Sequence, residues 1–510
     1  MRPGALDPRA NPLDARQDAD IAHITDNTPP SRLPAPPGTA DSATACPTRP
    51  GTLTTGTPDA GTRPTGTPRP HSAPDAARPV TPPPGPRETP RPRTPYPTLD
   101  LLEARARALA AAAPGTVRLR VVGHSRAGRP LWMLSAGHGE RQMLTVAGAH
   151  ANEPVGGASA LRLARLLAHR PALLDRLDCT WHILLCLDPD GARLAHGWQP
   201  EEPAPSLEQC HLRFYRPAFD RQPESLPSPG DPRPPLPESA TLLRLLDELR
   251  PAVQFTLHGI EVGGAFAMLT RHVPGAAAAF RDTAARLGVP LDRHPADGPD
   301  WQLDPPAVLH LPAGRAADPD DAGERDPSGY VAGSTWLHPR RYGTLTALVE
   351  APAWAAPAVS DDRPAADPHG EVARLTGLLL RRTRRLTDLL AGTPDTAVPD
   401  RLAPLRDAAR ELLAIAPAVV DTWTAEEHTG CRGHFATLGI AARRIPLRAA
   451  AMMRRALAPG APHTADALAG LAREWCAELT RTYRPVWTPV PAQTALHVRT
   501  MLDIAARVGP

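Results

Sequence analysis

The sequence predicts an α/β sandwich with a largely parallel central sheet, followed by an all-helical C-terminal region and preceded by a proline-rich tail. Three observations carry this expectation. Between residues 96 and 358, short apolar runs alternate with amphipathic helical patterns, as crossover connections of a parallel sheet require. From residue 359 onward the strand-like runs stop, and leucines recur at three- and four-residue spacing. Finally, 24 of the 66 prolines lie in the first hundred residues, where too little apolar surface exists to offset the entropy of ordering the backbone. The expected division is a disordered Pro-rich tail over 1–95, an α/β domain over 96–358 and a helical domain over 359–510.

Within the tail, Pro, Thr, Gly, Ala, Asp and Arg mix without aliphatic periodicity, and the run Pro82-Pro83-Pro84-Gly85-Pro86 suggests partly polyproline backbone. The α/β segment opens with Leu102, Ala106, Leu109 and Ala113 at helical spacing, stopped by Pro114-Gly115. Residues 117–122 alternate as a half-buried strand does, and 130–135 form a second strand across the turn 123–129. Residues 143–148 are continuously apolar, the mark of a strand buried on both faces. A helix over 158–168, a buried strand over 181–187, a helix over 240–249 and strands over 253–257 and 345–349 complete the pattern.

In the C-terminal region Val372, Leu375, Leu379, Leu386 and Leu390 share one helical face. So do Leu402, Leu405, Leu412 and Ile415, and again Leu468, Leu471, Trp475 and Leu479. A small helical bundle is expected, with Arg381, Arg382, Arg384 and Arg385 forming a solvated basic face on its first helix.

Charge narrows the function. All 57 basic residues are arginine, and they nearly balance 54 acidic ones, for a net charge of +3. That balance argues against a nucleic-acid binder, which would carry a basic stripe. No apolar run is long enough to span a bilayer, and the N-terminus has no apolar signal region, so neither a membrane nor a secretory route is expected. The six cysteines lack CxxC spacing and read as free thiols of a cytoplasmic protein.

The chemistry concentrates at strand ends. His150-Ala151-Asn152-Glu153-Pro154 follows the apolar strand 143–148 directly. An imidazole and a carboxylate three residues apart on a tight turn can converge on one cation, and a mixed N/O set suits zinc. A third ligand is needed, and His258 follows the strand 253–257 directly. Three ligands leave a fourth position for water, the catalytic arrangement, in which zinc acidifies the water and polarises a carbonyl. Hydrolysis also needs a base, and Glu350 ends the strand 345–349. A rival cluster, His428 to His434, fits no zinc spacing.

As an ordered set these residues resemble the M14 zinc carboxypeptidases, over roughly 97–356 of this chain. Gly123-His124-Ser125-Arg126-Ala127-Gly128-Arg129-Pro130 is similar to the family's GxSxxGRP segment, and His150-Ala151-Asn152-Glu153 to its HxxE. Asp188-Pro189-Asp190-Gly191 resembles its Asn-Pro-Asp-Gly turn, with Asp for Asn, and Gly333-Ser334-Thr335-Trp336 the segment before its last strand. The intervals, 105 residues from Glu153 to His258 and 92 from there to Glu350, are of the family's order.

The resemblance implies a zinc-carboxypeptidase-like α/β/α sandwich with a mixed, largely parallel sheet. It implies one Zn2+ per chain, held by His150, Glu153 and His258, with Glu350 as general base. The segment Arg213-Phe214-Tyr215-Arg216 sits where the family has an Asn-Arg pair, which makes Arg216 the candidate substrate-carboxylate clamp and Arg213 a weaker one; Tyr330 is the candidate capping tyrosine. The expected substrate is a peptide, or an acylated amino acid, with a free carboxylate.

Two other readings stay open at this point. One is a zinc deacylase of the aspartoacylase and succinylglutamate desuccinylase type, with the same ligand set. The other is an inactive scaffold that recruits a protein partner through its tail or helical domain; a decayed site would be expected to lose a ligand or the base, and all four residues are present.

Overall fold

The computed structural model describes residues 96–195, 206–227, 231–296, 301–304, 306–311, 334–425 and 430–509. The expected tail, Tyr330, Gly333 and His428 lie outside the described residues. The chain forms α1 (Leu99–Ala112), β1 (Val117–His124), β2 (Pro130–Ala136), β3 (Arg141–Ala147), α2 (Val155–His169), α3 (Pro171–Leu177), β4 (Cys179–Leu184), α4 (Pro189–Leu194), α5 (Leu207–Leu212), α6 (Pro237–Leu249), β5 (Val253–Gly263), β6 (Phe266–Leu269) and α7 (Ala276–Leu287). There follow β7 (Gln302–Asp304), β8 (Val308–His310), β9 (Leu345–Ala355), α8 (Pro368–Leu390), α9 (Ala403–Ala414), α10 (Ala416–Ala425), α11 (Arg432–Leu457), α12 (Pro462–Tyr483), β10 (Val486–Trp487) and α13 (Val490–Arg507). No helix among the described residues is long and apolar enough to cross a membrane.

One mixed sheet runs in the order β1-β2-β4-β3-β5-β9-β6-β8-β7, with β10 added on β9. Its centre, β4-β3-β5-β9, is parallel, and antiparallel pairs extend it on either side. Alternation along β3 explains the layers. Leu144 and Val146 point into a core with Leu242, Leu245 and Leu246 of α6, whereas Met143 and Ala147 point into the larger core with α1, α2 and α13. Helices thus cover both faces, as the apolar runs require.

The larger core continues into the C-terminal helices, taking in Leu468, Trp475, Leu496 and Met501. Helix α13 lies against α2 and the sheet: Ser159 Oγ bonds His497 Nδ1 at 2.9 Å, and Tyr96 donates to Gln493 Oε1 at 2.6 Å. Strand β10 pairs Trp487 with Trp354 of β9, so one short strand does follow residue 359.

Three details differ from the sequence pattern. Helix α2 begins three residues early because Gly156 and Gly157 carry no apolar signal; a Cβ at Gly156 would stand 3.0 Å from the Leu257 carbonyl, which is why the helix can press onto β5. Arg382 is not solvated but turned inward, paired with Glu478 and stacked 4.9 Å over the Trp475 ring. Ile415, expected to face the core, is 40% exposed where α9 gives way to α10.

Because α13 contributes to the core of the sheet, Leu496→Ala is expected to cost about 2–5 kcal/mol and to lower a single cooperative melting transition. Two separate transitions in calorimetry, with only one shifted, would contradict the shared core.

Candidate metal centre

Strand β3 ends at Ala147, and the chain turns through Gly148, whose φ of +61° is in the left-handed region open to glycine. A Cβ there would also meet the Cys186 sulfur at 2.8 Å. The turn closes with the Glu153 N–H donating to the His150 carbonyl at 3.2 Å, and Pro154 is the N-cap of α2. Beside it, β3 pairs with β5 only as far as Ala147 against Leu257. Strand β5 runs on past its neighbour, and its next residue is His258. Gly259 lets α2 approach, since a Cβ would stand 2.7 Å from Val155, and its N–H donates to Glu153 Oε2 at 3.2 Å.

His150, Glu153 and His258 therefore meet, at 5%, 5% and 1% exposure. His150 Nδ1 lies 3.0 Å from Glu153 Oε1, and His258 Nδ1 lies 3.0 Å from both Glu153 Oε2 and His150 Nδ1. Donors about 2.0–2.2 Å from a tetrahedral zinc stand about 3.3 Å from one another, so the spacing and the two-imidazole, one-carboxylate chemistry fit such an ion. The three residues could hold a metal.

A second layer of polar groups surrounds them. Glu224, 1% exposed, places Oε2 3.3 Å from His258 Nε2 and 3.8 Å from His150 Nε2, while its Oε1 accepts from Thr256 at 2.5 Å. The Thr335 N–H donates to the Glu224 carbonyl at 2.9 Å, and the Trp336 ring meets His258 edge-on. Arg216 Nη2 lies 2.9 Å from His150 Nε2, Nη1 lies 3.5 Å from Glu153, and Nε donates to Gln222 at 3.1 Å.

The electrostatics follow from this packing. Burial alone would lower the His258 pKa, but Glu224, Glu153 and Glu350 outweigh it and raise the imidazole to about 9. Burial and the Arg216 cation instead lower His150. Burial also acts to raise Glu153, yet His150 and His258 hold it well below the usual carboxylate range. A metal binds imidazole in its deprotonated form, so an ion at this site would compete with protonation of His258.

Glu350 stands directly across the β5–β9 pair from His258, in register. Both residues lie in mid-strand rather than at a strand end, because β5 and β9 continue together to Gly263 and Ala355. Arg216 reaches the cluster, whereas Arg213 caps α5 in an exposed position. The GxSxxGRP-like segment and the Asp188–Gly191 turn interlock beside the Gly148–Ala151 turn: Arg129 and Ser125 bond Asp190 at 2.6 and 2.9 Å, Arg126 bridges Asp188 and Glu238, and the Asp188 N–H donates to the Gly148 carbonyl at 2.8 Å. Burial is the main influence raising the pKa of Asp188, to about 7.

Glu224 is the site residue that sequence reasoning missed. It lies between the prolines of the 200–237 loop, with no periodic pattern to mark it as buried.

The family model for zinc carboxypeptidase, M14, matches residues 102–210, a span that includes His150 and Glu153 and stops before His258. No curated protein matches the chain. Solved structures with similarity include a Shewanella denitrificans protein provisionally named a metallopeptidase, at 15% identity, covering 52% of this chain and 90% of that one, with a TM-score of 0.35. Bovine thrombin-activatable fibrinolysis inhibitor, solved with a tick carboxypeptidase inhibitor, gives 12%, 50%, 86% and 0.31 in the same order. Carboxypeptidase A from Helicoverpa armigera gives 15%, 50%, 64% and 0.32. The resemblance to M14 zinc carboxypeptidases is thus found independently in the sequence around the HxxE turn.

Glu224 contacts the nitrogen of His258 that faces away from the three-donor cluster, as outer carboxylates of metal-bound histidines do. Glu224→Ala is expected to weaken zinc binding about 10–100-fold in a chelator competition, with stoichiometry kept at saturating zinc. An affinity within twofold of the parent would contradict this role.

Proposed function

We propose that the chain is a zinc-dependent hydrolase of the carboxypeptidase type, cleaving a peptide or amide bond next to a free carboxylate. One observation carries the reading: three metal-ligand donors meet at one place on the parallel sheet, and Glu350 stands across the strand pair from one of them. One zinc bound by His150, Glu153 and His258 would polarise the scissile carbonyl and make an attacking water more acidic.

The chain's own residues do the rest. Glu350 accepts the proton of the attacking water and returns it to the leaving amine, since the amine is a poor leaving group until protonated. Arg216 supplies a planar guanidinium beside the ligands, able to pair with a substrate carboxylate through two parallel N–H bonds. Its Nη2 lies 2.9 Å from His150 Nε2, which puts the guanidinium beside the proposed ligands. Glu224 and Thr256 fix the His258 ring so that Nδ1 faces the other two donors.

Glu350→Gln is expected to keep stoichiometric zinc and to lower turnover about 10²–10⁴-fold, the usual contribution of a general base. Normal turnover in that variant would overturn the assignment. A panel of peptides with free and amidated C-termini, assayed beside N-acyl amino acids, tests the substrate class. Cleavage confined to free-carboxylate peptides supports the carboxypeptidase reading, and cleavage of N-acyl amino acids alone favours a deacylase.

A further inference from the structure

The segment bearing Arg216 has almost no regular structure of its own: α5 ends at Leu212, and a single 3-10 turn spans Phe219–Arg221. Yet Phe214 and Tyr215 are 0% and 4% exposed, and Arg216 arrives within hydrogen-bonding distance of a candidate metal ligand. What holds it comes from far away in the chain.

Helix α11 presents an arginine face to this segment. Arg444, Arg448 and Arg455 recur at four and seven residues, the spacing of one helical side. Arg448 donates to Glu261 Oε1 at 3.0 Å, and Arg444 lies 3.7 Å from the other oxygen. Glu261 is on β5, three residues beyond His258. The Arg448 guanidinium also stacks 4.8 Å over the Phe214 ring. Next to it, Arg455 donates to the carbonyls of Arg213 and Phe214, both at 2.8 Å, and to that of Leu194 at 2.7 Å; Arg454 takes the Leu212 carbonyl at 3.0 Å. The Leu212 and Arg213 carbonyls lie at the end of α5, where a helix leaves acceptors without helical partners, and the Leu194 carbonyl lies at the end of α4. On the other side of Arg216, the Phe219 N–H donates to both carboxylate oxygens of Glu411 on α9, at 2.9 and 2.7 Å.

Arg216 is therefore bracketed. Two residues before it, backbone carbonyls are gripped by α11; three residues after it, a backbone N–H is gripped by α9. The α11 arginine next to Arg455 on that face also holds the strand that carries His258. Burying guanidinium groups is costly unless each is paired, and here burial lowers both Arg448 and Arg455 to about 10. A helical region that merely stood beside the sheet would not need this arrangement.

We propose that helices α9 and α11 are a positioning brace for the catalytic centre, in which Arg455 and Glu411 fix the 212–219 segment so that the Arg216 guanidinium is held against the metal ligands. The link to substrate binding rests on the reading of Arg216 above; the bracing itself does not.

The test uses the full chain loaded with zinc, comparing the parent with Arg455→Met. Amide hydrogen exchange is expected to accelerate at least tenfold in peptides covering 212–219 and to stay unchanged in those covering β5, with zinc per chain unaltered. Unchanged exchange over 212–219, or equal loosening of β5, would overturn the brace. If Arg455→Met does not accumulate as folded protein, Glu411→Ala on the other side gives the same readout at Phe219.

A kinetic cycle then asks whether the brace acts through Arg216. Arg455→Met is expected to lower kcat/KM at least tenfold in the parent and to have no further effect in an Arg216→Met background. Losses that multiply would overturn action through Arg216. Because exchange is read without turnover, a failure of the brace and a failure of the proposed hydrolase activity are told apart.

Discussion

The candidate metal centre depends on the parallel register of β3, β5 and β9. Ala147 opposite Leu257 brings the His150–Glu153 turn level with His258, and His258 stands opposite Glu350, the proposed base. Side chains alternate along a strand with period two, so a slip of one residue in either pairing would send His258 or Glu350 to the far face of the sheet. The register is held by burial on both faces. Trp181 and Phe255 stack at 5.6 Å across the strands, and the glycines at 148 and 259 admit neighbours that any larger residue would push away.

That geometry concentrates buried charge, and the charge in turn explains the surroundings. A carboxylate removed from water costs several kcal/mol unless a partner compensates it. Glu153 is compensated by two imidazoles, Glu261 by two arginines, and Glu224 lies against His258 and the Thr256 hydroxyl. The arginines around Glu261 cannot be neutralised at ordinary pH, so that cluster is permanent structure. The imidazoles around Glu153 can give up a proton, so a divalent ion can take the proton's electrostatic place. The same contrast separates these two buried clusters: the one around Glu261 fastens α11 to the sheet, and the one around Glu153 is suited to exchange a proton for a metal.

Much of this was legible in the sequence, for physical reasons. Short, largely apolar runs such as 143–148 and 253–257 read as strands of a buried sheet, and a His or Glu directly after such a run reads as lying towards the carboxyl end of a parallel strand, where ligands gather. His150, Glu153 and His258 each follow such a run and lie together, and Glu350 pairs with His258 in register, although β5 and β9 continue to Gly263 and Ala355, beyond the apolar runs that mark them. Glu224 was not legible. A carboxylate among prolines in an aperiodic loop reads as solvent-exposed, and only the tertiary fold reveals the imidazole beside it. The arginine face of α11 was equally hidden, because the same spacing describes a solvated helix; whether an arginine points to water or to a carbonyl is decided by what packs there. Arg382 makes the same point, since its neighbours Arg381 and Arg384 are exposed.

The proposed chemistry requires one zinc among the three donors. Anomalous diffraction on crystals of the zinc-loaded protein, recorded on both sides of the zinc absorption edge, tests this directly. A single strong peak within about 2.0–2.2 Å of His150 Nδ1, a Glu153 oxygen and His258 Nδ1 is the predicted result. A peak held by other residues, or no peak at these three in protein that binds zinc stoichiometrically, would contradict it.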